Sequence, residues 1–184
     1  MLKNWKFWVV MGAIGGLVVL FVVGFKQDPY TVQSPLINQP APPWEITGLR
    51  GEGRMSLEAL KGTPVVLNFW GSWCAACMEE AAVLQAAYEE FDQKKKMVRV
   101  VGIAMNDTPE KALEFAKRFG KKYPLGLDDK EGDIAISYGV YGAPETFFID
   151  RLGIIRHKVI GAITPESIQK AIQKLAGQPG GDKP

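Results

Sequence analysis

Val65-Val66-Leu67-Asn68-Phe69-Trp70-Gly71-Ser72-Trp73-Cys74-Ala75-Ala76-Cys77 is the stretch on which the reading of this 184-residue chain turns. Its first six residues form the near-continuous apolar run expected of a central strand buried on both faces. From Cys74 to about Phe91 the apolar positions Cys77, Ala81, Leu84, Tyr88 and Phe91 step by three and four, which predicts a helix with one apolar stripe. Cys74 therefore opens a helix directly after a strand. Unpaired backbone N–H groups and the positive end of the helix dipole favour a thiolate at such a place. The thiolate is the attacking species in disulfide exchange. Cys77, three residues on, is near enough to resolve a mixed disulfide. Glu79, Glu89 and Glu90 fall off the apolar stripe and are expected in solvent.

These are the chain's 2 cysteines, and it has 1 histidine, His157, most simply a strand residue facing solvent. A structural zinc site needs about four ligands, which this set does not supply. A structural disulfide normally joins distant segments, whereas a C-x-x-C bridge closes almost no loop and stabilises little. The indole before Cys74 and the small Ala75-Ala76 spacer suit an accessible turn better than a pair of inert core thiols. The spacing points to redox chemistry.

Net charge is +2, which leaves no footprint for nucleic acid. Residues 1–26 hold Lys3, Lys6 and Lys26 and no acid, so the remainder carries 19 basic against 20 acidic side chains. Residues 7–25 contain no charged side chain. At about 1.5 Å per residue they span roughly 29 Å, one hydrocarbon core. Trp5 and Trp8 lie where an interface favours aromatics, and the flanking lysines predict a cytoplasmic N-terminus with the rest exported. A cleaved signal peptide would have a shorter apolar region ending in an A-x-A-like site. The exit here is Val22-Val23-Gly24-Phe25-Lys26-Gln27, so the expectation is an uncleaved single-pass anchor over 1–25 in the inner membrane, with the domain on the periplasmic side. Disulfides form and persist in that compartment, and partners must maintain the redox state of a dithiol there.

Residues 26–43, with Pro29, Pro35, Pro40, Pro42 and Pro43, read as a semi-rigid linker. The domain is expected from 44 to 176, with a disordered tail over 177–184. Within it, 44–49 suggests a short strand, and Ser56 a cap for a short helix ended by Gly62. Buried strands are expected over 64–70 and 97–104, and Thr108-Pro109 starts a helix to about Phe119. A short strand near 125–127, a short helix over 133–138, two strands at 145–149 and 154–160, and a helix begun by Thr164-Pro165-Glu166 complete the order. This is an α/β fold with a mixed central sheet flanked by helices. With a C-x-x-C after a central strand, it is the thioredoxin arrangement.

Phe69-Trp70-Gly71-Ser72-Trp73-Cys74-Ala75-Ala76-Cys77 resembles the thioredoxin active site. The run Tyr138-Gly139-Val140-Tyr141-Gly142-Ala143-Pro144-Glu145-Thr146-Phe147-Phe148-Ile149-Asp150 is similar to that of the membrane-tethered cytochrome c biogenesis thioredoxins, the CcmG/DsbE type, with the ResA and TlpA types as next neighbours. The resemblance covers about 41–176 and extends to the N-terminal anchor. It implies a periplasmic reductant of apocytochrome c, or of a dedicated thiol carrier, recharged by a transmembrane electron donor of the DsbD or CcdA kind. It implies no metal or cofactor. Pro144 matches a cis-proline facing the dithiol, and cis bonds are nearly confined to X-Pro. Trp73, Ala143 and Pro144 are then the substrate-binding positions. The resemblance also places Glu80 and Glu145 near the sulfurs, where an acid could transfer protons. Asn68 departs from the buried aspartate of cytoplasmic thioredoxins, which shifts any proton transfer to Glu80 or Glu145. The Ala75-Ala76 spacer departs from the proline-containing spacer of many relatives.

The expected function is a membrane-anchored thiol–disulfide reductase in which Cys74 attacks and Cys77 resolves. One rival is a disulfide-introducing oxidase, since potentials on one fold span about 150 mV. Another is a non-catalytic module that docks an apoprotein. The absence of a Thr-x-x-Cys context before Cys74 argues against a peroxiredoxin.

Overall fold

Strand β3 (Val65–Trp70) is buried at every position, because helices cover both faces of the sheet it centres. The computed structural model describes residues 5–25, 34–129 and 131–176; within 5–25 the side chains of Lys6, Val18, Leu20 and 21–25 lie outside the description. The sheet order is β5-β4-β3-β6-β7, where β4 is Arg99–Ala104, β5 Leu125–Leu127, β6 Glu145–Ile149 and β7 Ile155–Ile160. β4 and β5 run parallel to β3, β6 runs antiparallel to it, and β7 runs antiparallel to β6. The thioredoxin-like α/β fold with a mixed sheet is therefore present as expected.

Alternation along β3 divides the core in two. Val66 and Trp70 point to a layer containing Cys77, Leu84, Phe115 and Ile172. These come from α2 (Ala75–Ala87), α3 (Pro109–Arg118) and α5 (Pro165–Ala176). Val65, Leu67 and Phe69 point to the other layer, with Ile103, Tyr138 and Phe147. Tyr138 follows the short helix α4 (Asp133–Ser137) and donates its hydroxyl to the Pro42 carbonyl at 2.8 Å.

Cys74 is the N-cap of α2, and its sulfur accepts from the Cys77 N–H. Past Ala87 the helix widens into a π-helix over Tyr88–Lys94. There Phe91 and Asp92, adjacent in sequence, are both buried. Asp92 accepts from Val100 N at 2.9 Å and pairs with Arg99 at 3.0 Å, tying this helix to the start of β4. Thr108 caps α3 with Pro109 in its first turn, as expected.

Three local expectations are corrected. Residues 34–43, read as part of the linker, are docked on the domain. Asn38 N donates to Ile155 O at 2.7 Å and Ala41 N to Gly153 O at 2.8 Å, and Leu36 and Ile37 pack against the core. Proline-rich chain lacks donors but still offers apolar rings and carbonyls, which suit it to an exposed edge. A hairpin partner was missed: β1 (Glu45–Thr47) pairs antiparallel with β2 (Arg54–Ser56). The helix expected after Ser56 is a single 3-10 turn over Glu58–Leu60, with Ser56 Oγ accepting from Ala59 N. Elements this short are set by pairing rather than by local pattern.

The N-terminal segment is helical over Trp5–Phe25, here α1. Among the described residues no helix is long and apolar enough to cross a membrane. The anchor expected over 1–25 thus rests on the sequence. Residues 1–4, 26–33 and 177–184, which include the flanking Lys3 and Lys26 and the tail, lie outside the described residues.

Gly102 lies opposite Asn68 on β4. A Cβ there would stand 2.6 Å from Leu125 Cδ2, 3.0 Å from Trp70 Nε1 and 3.1 Å from Tyr123 Cε2. Gly102→Ala should lower unfolding stability by about 1–3 kcal/mol through overpacking. Urea denaturation followed by tryptophan fluorescence measures this; an unchanged midpoint would show that the layer yields freely.

Candidate active site

The strand–loop–helix passage from Trp70 to Ala75 is built to hold sulfur at a helix terminus. Ser72 donates its N–H to Asp107 Oδ2 at 2.6 Å and its hydroxyl to Oδ1 at 2.8 Å. Asp107 also accepts from Thr108 N, so one carboxylate clamps the active-site loop to the start of α3. The Trp73 indole donates to Met105 O at 3.1 Å and lies over Gly71, where a Cβ would approach it to 2.5 Å. Its remaining surface is exposed, as are Met78 and Tyr141.

Cys74 and Cys77 form a disulfide. Cys74 keeps 4 % exposure and Cys77 none. The Cys77 N–H reaches Cys74 Sγ at 3.1 Å. In the reduced state this N–H and the helix terminus stabilise a thiolate on Cys74. On the other side, Ala143 O stands 3.3 Å from Cys74 Sγ. The Ala143–Pro144 bond is cis, as the sequence predicts. Cys74 and the Ala143–Pro144 bond are therefore brought together, with Trp73 exposed next to Cys74 in the chain.

Glu80, one turn along α2, is fully buried. Helical geometry stacks it with Cys77 on one face. Its Oε1 accepts from Asn68 Nδ2 at 2.8 Å and its Oε2 from Ile163 N at 3.2 Å. Asn68 Nδ2 also donates to Thr146 Oγ1 at 3.1 Å. Asn68 thus orients the acid. Burial pushes the Glu80 carboxyl above its ordinary 4.5, against the two donors and the Lys121 ammonium.

Glu145 is also buried, but its partners differ. Lys158 Nζ on β7 stands 2.6 Å from its Oε2, and its Oε1 accepts from Tyr141 N at 3.4 Å. Lys158 donates in turn to Gly139 O at 3.3 Å. This ion pair braces the 139–145 loop that carries Ala143 and Pro144. The Glu145 carboxylate hydrogen-bonds neither sulfur among the described residues. The structure brings Glu80 to the helix face of Cys77 and gives Glu145 the loop.

Sequence reasoning missed Asp107, Lys158 and Lys121. Asp107 sits just before a recognisable helix cap, so its neighbourhood was legible, though its reach to Ser72 was not. Lys158 alternates with His157 on β7 and carries no local sign of burial. Lys121 directly follows Gly120, the glycine that ends α3, a position that commonly packs inward.

The sequence matches the AhpC/TSA family over residues 37–158. It is 35 % identical to the thiol:disulfide interchange protein DsbE of Allochromatium vinosum over 177 residues, 96 % of this chain and 95 % of that one. To DsbE of Escherichia coli K12 it is 36 % identical over 150 residues, 80 % of this chain and 78 % of that one. Among solved structures, a Chlorobium tepidum chain provisionally described as a thiol:disulfide interchange protein DsbE superposes with a TM-score of 0.69 at 25 % identity, covering 77 % of this chain and 98 % of that chain.

A buried carboxyl of raised pKa has a defined signature in stability. Between the ordinary 4.5 and the raised folded value, the folded protein binds a proton that the unfolded chain has released. Stability therefore falls as pH rises through that window. Glu80→Gln should remove this slope, and its stability relative to the parent should rise across the window and then level off. The gain is roughly 1.4 kcal/mol for each pH unit separating the two ionisations. Urea midpoints of both proteins from pH 4 to 8 measure it. Parallel curves would mean that Glu80 ionises as an ordinary surface acid.

Proposed function

As a member of the AhpC/TSA family, and a thiol:disulfide oxidoreductase working through Cys74 and Cys77, this protein is, we propose, a membrane-anchored, extracytoplasmic reductant dedicated to cytochrome c maturation. The observation that carries the reading is the asymmetry of the dithiol. Cys74 caps α2 beside Ala143 at the surface, and Cys77 is sealed beneath it on the face of Glu80.

The cycle starts from the reduced form. The Cys74 thiolate attacks one sulfur of a substrate disulfide, forming a mixed disulfide, and the other substrate sulfur leaves as a thiolate that takes a proton from solvent. Cys77 passes its proton to Glu80. The Cys77 thiolate then attacks Cys74 Sγ, expels the second substrate sulfur as a thiolate that is protonated in turn as Glu80 gives up its proton, and closes the Cys74–Cys77 bridge. Two electrons have moved from the protein dithiol to the substrate, and two protons balance them. Trp73, Ala143 and Pro144 form the surface that receives the substrate chain. Glu145, held by Lys158, keeps that surface in shape. A transmembrane dithiol donor of the DsbD or CcdA kind restores the reduced form.

Several features support the placement and the substrate. Residues 7–25 carry no charge over a length that matches a hydrocarbon core, and the positive flanks put the N-terminus in the cytoplasm. An anchor holds the domain near a fixed set of partners at high effective concentration. The body is nearly neutral, so no strong charge draws a general pool of chains to it. A haem-attachment C-x-x-C-H segment presents a small local disulfide that a helix-terminal thiolate can open.

Two experiments test these statements separately. A C-terminal reporter active only outside the cytoplasm should be active in full-length fusions; activity of a cytoplasm-only reporter would refute the topology. Deleting the gene, or Cys74→Ser, should lower covalent c-type haem several-fold, with partial recovery on adding a thiol reductant. Normal c-type haem in a deletion strain lacking other such reductases would reject the substrate reading and favour the oxidase. Full function after replacing both cysteines would favour the docking module.

A further inference from the structure

A lysine is buried in the same layer as Glu80. Helix α3 ends at Arg118 with Phe119 as its C-cap, and Gly120 follows with a left-handed φ of 68°. Lys121 N donates to Ala116 O at 2.9 Å and Gly120 N to Lys117 O at 3.4 Å, the paired bonds of a Schellman motif. The residue after the glycine in that motif usually packs an apolar side chain on the last turn. Here it is a lysine. Arg50 fixes the backbone from outside by donating to the carbonyls of Lys121 and, at 3.1 Å, of Tyr123.

The Lys121 side chain consequently runs inward, and the residue is 2 % exposed. Its Nζ lies 3.7 Å from the centre of the Trp70 ring, 5.4 Å from that of Phe115 and 5.7 Å from that of Tyr123. The missing side chain of Gly102 leaves the room that Trp70 and Tyr123 occupy. The Nζ has no hydrogen-bond partner among the described residues, and neither do Trp70 Nε1, Tyr123 Oη or Asn68 Oδ1. Buried polar atoms are almost always partnered, and an unpaired buried ammonium is costly. Ring faces recover part of that cost. The opposite charge that acts on Lys121 is Glu80.

We propose that Lys121 is a positioning residue for the exchange reaction: a buried cation that keeps Glu80 ionised and so ready to take the Cys77 proton. The groups around it are consistent with this. Strand β3 contributes Asn68 and Trp70, β4 contributes Gly102, and α3 contributes Phe115, all without charge. From α2 comes Glu80, ahead of β5 comes Tyr123, and from the turn after β1 comes Arg50, whose charge bears on Tyr123. Burial holds the Lys121 ammonium down to about 7 and Glu80 draws it back up, while the same burial raises Glu80. Each group thus supports the charge of the other, and a proton gained by one weakens the hold of the other on its own. The proposal rests on the role of Glu80 given above.

The test is a single turnover of the reduced full-length protein with an aromatic disulfide whose released thiolate is coloured, over pH 5 to 9. The first release reports attack by Cys74 and the second reports resolution by Cys77. The second phase should show an inflection at the ionisation of Glu80, which Lys121→Met moves upward by about one pH unit or more. The first phase should change little. An inflection left in place by Lys121→Met, with only a lower melting temperature, would overturn the proposal and leave a packing role. Glu80→Gln should abolish the inflection; its persistence there would instead overturn the Glu80 assignment on which the proposal stands. Should Lys121→Met fail to fold, carbon NMR titration of the Lys121 Cε in the parent and in Glu80→Gln decides the matter. Loss of Glu80 should lower the Lys121 titration, and an unmoved titration would refute the coupling.

Discussion

The hydrogen bond from Asn68 Nδ2 to Glu80 Oε1, 2.8 Å long and fully buried, is the joint on which the site depends. It connects the central strand to the helix face that carries Cys77. The same amide group reaches Thr146 on β6, and the other carboxylate oxygen takes Ile163 N ahead of α5. Four segments therefore meet at one amide–carboxylate pair. A hydrogen bond to a charged group contributes about 1.5–3 kcal/mol, and an orphaned carboxylate there would cost at least as much. An amide in this place donates firmly and does not titrate, so the proton chemistry beneath the dithiol is left to the acid it holds.

The two carboxylates near the site have separated tasks, and their partners explain why. Glu145 sits against an ammonium at 2.6 Å and accepts from the Tyr141 backbone N–H. This ion pair and backbone bond close the loop between Tyr141 and Glu145. Glu80 has neutral donors and a cation acting without a direct hydrogen bond. Burial then competes with its ionisation, which keeps the group responsive to protons. Trp73, next to Cys74 in the chain, and Tyr141, on the 139–145 loop and 97 % exposed, both present aromatic surface to solvent. The resulting pair has Cys74 at the helix terminus with 4 % exposure and Cys77 fully sealed on the helix face of Glu80.

The framework was legible because its signals are local. The apolar run Val65–Trp70, the three-and-four spacing after Cys74, the Thr108-Pro109 cap and the Gly142-Ala143-Pro144-Glu145 turn each dictate a conformation within a few residues. Where local signals were weak, the reading slipped. The segment 34–43 looked like linker because its composition is that of one, yet its carbonyls and amides find β7. The hairpin strand Arg54–Ser56 is three residues long and exists through pairing with Glu45–Thr47. Glu80 and Glu145 were both placed near the dithiol by resemblance, but their different partners come from segments 83 and 13 residues away in sequence.

By itself the sequence determined the strand–dithiol–helix unit, the polarity of the pair with Cys74 first, and the uncharged N-terminal stretch, because helix termini, periodicity and hydropathy are properties of contiguous residues. Only the tertiary structure decided which acid lies beneath Cys77, which one braces the loop, and that a lysine ending the α3 turn is sent into the core beneath Trp70. Those outcomes depend on desolvation and on charges brought together from α2, β6, β7 and the turn after α3. Burial of a charged side chain is set by what folds over it, and its own neighbours in the chain do not carry that information.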